Sequence, residues 1–288
     1  MSRKLFSFRW DIDHRACMTD GIPNIQAICR EYDVRHTFFV NMGRSTNLRE
    51  WLGKGFKGSR AKLAEMEAIN LVKKIGWGRF AVETLLSRPV GRSFIPALCD
   101  LQADGHELGL HGGSDHVVWS RRFNELDDEV IEQDVANTLE EFVAAFGQPA
   151  GFTSPGFKSD NRIMRIVERL GFEYHGDAIG GQPAPSIVSG TEYDHWTVPV
   201  TICGPRTIPF FEWHSARGSS RQQALAAFED SLDENSTAVL YGHPCHEGLD
   251  RQTLRKMFDA VLRAGFEFVT HAELVAHNKA AMAPGDLH

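Results

Sequence analysis

Three separated stretches share one form, in which a helical run ends in a short turn and passes at once into an apolar strand. They are Glu31-Tyr32-Asp33-Val34-Arg35-His36-Thr37-Phe38-Phe39, Arg169-Leu170-Gly171-Phe172-Glu173-Tyr174 and Arg263-Ala264-Gly265-Phe266-Glu267-Phe268. Turns this short set each helix beside the strand that follows it, and repeated strand-helix alternation favours a parallel sheet or barrel. Apolar runs bounded by turn residues predict strands at about Leu5 to Trp10, His36 to Val40, Glu107 to Leu110, Ala150 to Thr153, Glu173 to His175, Thr197 to Ile202, Ala238 to Tyr241 and Glu267 to Val269. Helical patterns fall between most of them, at Gly21 to Tyr32, Phe94 to Ala103, Glu125 to Phe146 with Asn124 as cap, Asp160 to Leu170, Arg221 to Leu232 and Leu249 to Ala264. No further repeat and no linker divides the 288 residues, a length that one α/β barrel domain can reach, so 1–288 is read as a single domain. The tail from Asn278 to His288 is expected to fray.

An apolar content of 42% with 24% charged residues is that of a globular protein with a sizeable core. Met1-Ser2-Arg3-Lys4-Leu5 leads straight into the first strand without a signal-peptide core, and no run nears the roughly 18 apolar residues of a membrane span. A cytoplasmic location is therefore expected. The five cysteines (Cys17, Cys29, Cys99, Cys203, Cys245) are odd in number and lack C-x-x-C spacing, which argues against a disulfide framework or a thiolate zinc site. A net charge of -7 disfavours nucleic acid as a partner. That charge is unevenly spread, because Leu48 to Arg92 holds ten Lys/Arg against four Glu, interleaved with Trp51, Phe56, Trp77, Phe80, Leu85 and Leu86. Such a basic amphipathic insertion suits either a membrane surface or a solvated helical layer on the barrel.

Chemistry enters in the run Phe6-Ser7-Phe8-Arg9-Trp10-Asp11-Ile12-Asp13-His14. Strand side chains alternate between faces, so Arg9, Asp11 and Asp13 point together, opposite Phe8, Trp10 and Ile12. Two acids so placed suit either a metal ligand beside a general base or a salt-bridged strand end. Polar residues also close other strands: His111 the third, Thr153-Ser154-Pro155-Gly156 the fourth, Asp177 beyond the fifth, and His243 after Ala238-Val239-Leu240-Tyr241-Gly242. Carboxy-terminal strand ends are where barrel enzymes assemble dispersed residues into a site. In Gly105-His106-Glu107-Leu108-Gly109-Leu110-His111-Gly112-Gly113-Ser114-Asp115-His116, His111 and His116 can hold a divalent metal with Asp13 as third protein ligand and water in the open position. His106, before the strand, is read as structural. Asp115 is read as a substitute ligand or as orienting a histidine.

The order Arg9-x-Asp11-x-Asp13, Gly105-His106-Glu107-x-Gly109-x-His111, Ser154-Pro155-Gly156-Phe157, Asp177, Gly242-His243 resembles the polysaccharide deacetylase family, carbohydrate esterase family 4 with the NodB-homology domain. Asn41-Met42-Gly43-Arg44, Trp77-Gly78 with Leu85-Leu86, Asp177 and Ile202 look most similar to the 4-deoxy-4-formamido-L-arabinose phosphoundecaprenol deformylases within it. The resemblance covers roughly residues 5 to 275. It implies a distorted (β/α) barrel carrying a divalent metal, zinc first with cobalt, manganese or nickel as alternatives, which removes a formyl or acetyl group from an amino sugar. A polyprenyl-phosphate-linked sugar would suit the basic stretch and place the chain peripherally on the inner face of the cytoplasmic membrane. Two departures stand out: His111 and His116 are five apart where the family has four, and Thr153-Ser154 replace its arginine before the proline turn. Arg9 is a candidate replacement.

In the implied mechanism Asp13, His111 and His116 hold the metal, Asp11 takes a proton from water with Arg9 orienting and acidifying it, and His243 protonates the leaving nitrogen. Asp177 is expected to hold the His243 tautomer, and His246 competes with His243 for the acid role. A metal-independent cyclic-amide hydrolase of the same fold, and a pseudoenzyme that binds glycan or lipid-linked sugar, are the alternatives.

Overall fold

The structure is a computed structural model that describes residues 3–45, 78, 85, 88–233 and 236–282. Most of the basic stretch 48–92 lies outside the described residues. Element numbers below run over the described residues alone. The order is β1 (Lys4–Ile12), a π-helical turn (Cys17–Gly21), α1 (Ile22–Tyr32), β2 (Thr37–Val40), a 3-10 turn (Gly91–Phe94), α2 (Ile95–Ala103), β3 (Glu107–His111), α3 (His116–Arg122), a 3-10 turn (Phe123–Glu125) and α4 (Asp128–Phe146). It continues through β4 (Gly151–Thr153), α5 (Asn161–Arg169), β5 (Tyr174–His175), β6 (Ala184–Val188), β7 (Thr191–Thr197), α6 (Phe210–Ala216) and α7 (Arg221–Asp233). The last elements are β8 (Thr237–Gly242), α8 (Pro244–Glu247), α9 (Arg251–Arg263), β9 (Phe266–Phe268) and α10 (His271–Met282).

β1 is the hub of the sheet. It runs parallel to β2 (Arg9 opposite Thr37), to β8 (Phe8 opposite Leu240) and, at its start, to β9 (Lys4 opposite Phe266). The strand order is β6-β7-β5-β4-β3-β2-β1-β8, and among the described strands only the β6–β7 pair is antiparallel. Beyond β7 the chain continues as single bridges, Ile179 to Val200 and Ile202 to Leu240, with Thr201 and Ile202 N–H both donating to the Val239 carbonyl at 3.0 Å. That continuation closes the curled sheet between β5 and β8 into a distorted (β/α) barrel.

Because β1 is buried on both sides, its alternation sorts residues into two cores. Phe6, Phe8, Trp10 and Ile12 face the helices, packing in one cluster with Ile25 and Ile28 of α1 and Phe258 and Val261 of α9. Leu5 faces inward with Phe39, Tyr174, Val198, Val239 and Tyr241, above a floor of Val269, Leu274 and Val275. Each such side chain contributes on the order of 1.5–3 kcal/mol by leaving water. The polar members of the inward row, Arg9 and Asp11, lie above that inner cluster at the carboxy-terminal rim.

Several predicted boundaries move. The run expected as a strand from Thr197 to Ile202 is the seam described above, and the ladder proper is the preceding β7. Asn124 does not cap α4, which begins at Asp128 after Asp127, because the preceding residues fold as α3 and a 3-10 turn. Asp160 does cap α5, accepting from Arg162 and Ile163 N–H at 3.1 and 3.3 Å. α10 stays helical to Met282, past the start of the tail expected to fray.

Gly151 is required by close approach: a Cβ there would lie 2.2 Å from Cζ of Tyr174, whose hydroxyl is tied to Glu107 Oε1 at 2.7 Å. Gly151→Ala is expected to lower stability by about 1–3 kcal/mol through overpacking, read as a lower urea midpoint at unchanged slope; an unmoved midpoint would show that the ring is not held.

Candidate active site

The ends of β1, β3, β4, β5 and β8, the start of α3 and the connecting helix α6 build the site. Arg9 and Asp11 share the inward face of β1, and Arg9 grips Asp11 with two bonds, Nε to Oδ1 at 2.9 Å and Nη2 to Oδ2 at 2.8 Å. Its Nη1 donates to the Gly176 carbonyl beyond β5, and Nη2 stands 3.6 Å from Asp177 Oδ1. The guanidinium carbon lies 4.2 Å from the Phe157 ring centre and 5.0 Å from that of Tyr241. Burial opposes the charge on Arg9, but Asp11 and then Asp177 hold its pKa above the ordinary value. Burial alone would raise the Asp11 pKa; the Arg9 charge, followed by His111 and the Arg9 hydrogen bonds, brings it below the usual carboxylate range. Asp11 is thus kept ionised.

Asp13, one residue past β1, is the meeting point of three imidazoles. His111 Nε2 is 3.2 Å from Oδ1, His116 Nε2 is 3.2 Å from Oδ2, and His243 Nε2 is 3.1 Å from Oδ2. Burial, which would raise the pKa of Asp13, is outweighed by His116, His243 and His111, and the carboxyl lies well below its ordinary value. The structure brings Asp13, His111 and His116 within metal-sharing distance, with one ligand atom from each inside 4.8 Å of the others. Two observations fit a divalent cation there. Asp13 Oδ1 is buried and makes no hydrogen bond, with His111 Nε2 standing 3.2 Å away. His111 Nδ1 is held by Thr153 Oγ1 at 2.7 Å, which aims Nε2 into the cluster as second ring nitrogens are held in metal sites.

The five-residue histidine spacing is accommodated locally. Gly112 takes φ +67°, a left-handed turn open to glycine, and Asp115 caps α3 by accepting from Val117 and Val118 N–H, both at 3.1 Å. His116 becomes the first residue of that helix. Asp115, expected as ligand or histidine-orienting group, forms this cap through Oδ1. Asn41-Met42-Gly43-Arg44 clamps the same loops: Asn41 Nδ2 donates to the Asp13 carbonyl (3.3 Å), Arg44 N–H to the Ser114 carbonyl (2.9 Å), and His116 N–H to the Arg44 carbonyl (3.0 Å).

One expected partnership is corrected. Asp177 does not reach His243; its Oδ2 accepts the Ser154 N–H at 2.9 Å, and its other oxygen faces Arg9. His243 Nδ1 is held by Glu212 Oε1 at 2.7 Å, and its Nε2 is 3.2 Å from the Tyr241 hydroxyl. Glu212 belongs to α6, an element the strand-end reading passes over. Its signal was an acid inside Phe210-Phe211-Glu212-Trp213, the same anomaly as Asp11 between Trp10 and Ile12. His106 takes the structural place expected of it, with Nδ1 accepting the His36 N–H at 3.1 Å.

No family model matches the sequence. Among solved structures, the fold is similar to a probable polysaccharide deacetylase from Pseudomonas aeruginosa PAO1 (TM-score 0.66, 12% identity, 96% of this chain and 91% of that one). It is also similar to a protein from Mycobacterium smegmatis described as a polysaccharide deacetylase (0.64, 14%, 98% and 92%). PuuE allantoinase matches at 0.61 with 12% identity over 97% of this chain and 91% of that one. At these identities the likeness establishes a shared barrel fold.

Asp177 provides a pH test of the buried network. Burial, opposed by Arg9 and the Ser154 N–H, pushes its pKa up from the ordinary carboxylate range to about 6. The folded state therefore holds this proton more tightly than the unfolded chain, and the resulting stability is lost as pH rises through about 6. Urea unfolding of Asp177→Asn is expected to gain on the wild type by up to about 3 kcal/mol between pH 4 and 7. A difference independent of pH would overturn the assignment.

Proposed function

We propose that this chain is a metal-dependent hydrolase that removes a formyl or acetyl group from the nitrogen of an amino sugar. The observation that carries the reading is that two proton-transfer groups, each with its own partner, adjoin one carboxylate-imidazole cluster: Asp11 on Arg9, and His243 on Glu212. Amide hydrolysis needs an activated water, a stabilised oxyanion and a proton for the leaving amine. A divalent cation held by Asp13, His111 and His116, zinc in the first instance, would lower the pKa of water and polarise the acyl oxygen.

Asp11 accepts the water proton. Because Arg9 keeps this carboxylate ionised and weakly basic, it can serve only a water that is itself acidified, which favours the metal-dependent reading over a metal-free one. His243 delivers a proton from Nε2 to the departing sugar nitrogen while Glu212, on Nδ1, fixes the tautomer and stabilises the imidazolium that precedes transfer. Arg9 and Asp177 act from behind Asp11 as positioning residues.

Within this class we propose a formamido sugar carried on a polyprenyl phosphate, as the resemblance of Asn41-Met42-Gly43-Arg44 and Asp177 implies, with an acetamido sugar next. The excess of cations over 48–92 supports a lipid phosphate carrier and contact with a membrane surface. Among the described residues no helix is long and apolar enough to cross a membrane.

The test is release of formate or acetate from N-acylated nucleotide and lipid-linked sugars with added zinc, cobalt or manganese. Asp11→Asn and His243→Ala are each expected to lose about 10²–10⁴-fold in rate, the usual worth of a general base or acid, with circular dichroism unchanged. Wild-type rates in either variant would sink the assignment, and release only from cyclic amides would favour the reading suggested by the allantoinase neighbour. Separately, neutralising Lys73, Lys74 and Arg79 is expected to reduce co-sedimentation with anionic liposomes; equal sedimentation counts against membrane contact.

A further inference from the structure

We propose a second cation site, formed by Glu212, His246 and Glu247 and joined to the first through His243. One ligand atom from each of these three residues lies within 4.8 Å of the others. His246 Nδ1 and Glu247 Oε1 are 3.5 Å apart, close to the roughly 3.4 Å edge of a tetrahedron with bonds of about 2.1 Å to nitrogen and oxygen. The pivotal group is Glu247. Its side chain is 1% exposed, and its Oε2 accepts the His243 N–H at 2.8 Å. Its Oε1 is buried with no hydrogen-bond partner and faces the His246 ring. A buried carboxylate with one oxygen unmatched is costly unless a positive charge or donor meets it.

The second carboxylate of the cluster, Glu212, is 4% exposed, whereas the His246 side chain at 29% gives the cluster an opening to solvent. Two carboxylates and an imidazole form a donor set suited to zinc, cobalt or manganese. His246 thereby takes a role other than competing with His243 as acid.

The site bears on the reaction because Glu212 would serve both sites. It accepts from His243 Nδ1 at 2.7 Å, and a cation on the same carboxylate weakens that bond. Resting on the hydrolytic reading above, this makes the second ion inhibitory, so turnover rises with the first equivalent of metal and falls with excess.

The test uses the full chain stripped of metal, dialysed against defined free zinc and assayed for bound zinc. The wild type is expected to hold two ions, and His246→Gln, Glu247→Gln and His116→Ala one each. Raising zinc from one equivalent to tenfold excess should lower the rate several-fold in the wild type and leave it level within His246→Gln. One ion in the wild type, retained in His246→Gln and Glu247→Gln and lost in His116→Ala, would overturn the second site and leave the first standing. One ion lost in His246→Gln and retained in His116→Ala would uphold this cluster and defeat the metal assignment at Asp13. Two ions retained in both His246→Gln and Glu247→Gln would also overturn the proposal.

Discussion

The rest of the barrel mouth depends on a guanidinium with no access to water. Arg9 is 0% exposed, and a buried ion stripped of its partner costs about 3–5 kcal/mol. The fold answers with two bonds from Asp11, the carboxylate of Asp177, the Gly176 carbonyl and the faces of aromatic rings, drawn from β1, β2, β8 and the ends of β4 and β5. One cation is set against two carboxylates, so Asp11, bonded twice, takes the larger share and Asp177 keeps a proton into mildly acid conditions. The orientation of Asp11 is thus a consequence of solvating Arg9 with protein. Asp13, two residues on, is left to the histidines.

A second constraint is that the loops bearing those histidines are tied to one another by backbone groups. Asp13, Asn41, Arg44, Ser114 and His116 form a chain of hydrogen bonds among three successive strand ends. Asp134 of α4 braces the same loop through the Ser114 N–H and Trp119 Nε1. Backbone bonds of this kind hold position more firmly than long side chains, and a ligand cluster needs placement within about half an ångström. Asn41-Met42-Gly43-Arg44 therefore has a mechanical part here, since it links the Asp13 loop to the loop that carries His116.

What the sequence disclosed, and what it hid, follows from where each signal resides. β1 is legible because Ser7, Arg9 and Asp11 alternate with Phe6, Phe8, Trp10 and Ile12, and Arg9 and Asp11 share one face as expected, with Asp13 one residue beyond the strand. Strands of two or three residues such as β5 and β9 carry almost no pattern of their own, and the helix-turn-strand junctions before them mark their place, whereas β4 shows only as the short apolar run Ala150 to Thr153. The β6–β7 hairpin was missed although Ser189-Gly190, at φ 51° and 79°, is a hairpin turn pair, because β7 runs on without a break into the seam once read as the strand itself. Glu212 was hidden for a different reason: a search of strand ends does not visit a helix lying between them. The order of strand ends carries no distances, so it does not show that Asp177 meets Ser154 and Arg9 in place of His243.

The way the barrel closes has one more consequence. Among the described residues, 198–202 complete the ring between β5 and β8, while β6 pairs with β7, and β7 pairs with the ring at Tyr174–Trp196 and His175–Thr197. The hairpin is thus an appendage on a finished cylinder, with Ile187 61% exposed near its tip. Length, charge or a whole recognition module can be exchanged there, or new chain termini opened at Ser189-Gly190, without breaking a backbone bond of the ring. It is a grafting point, where descendants of this chain can acquire a new clientele while inheriting the same chemistry.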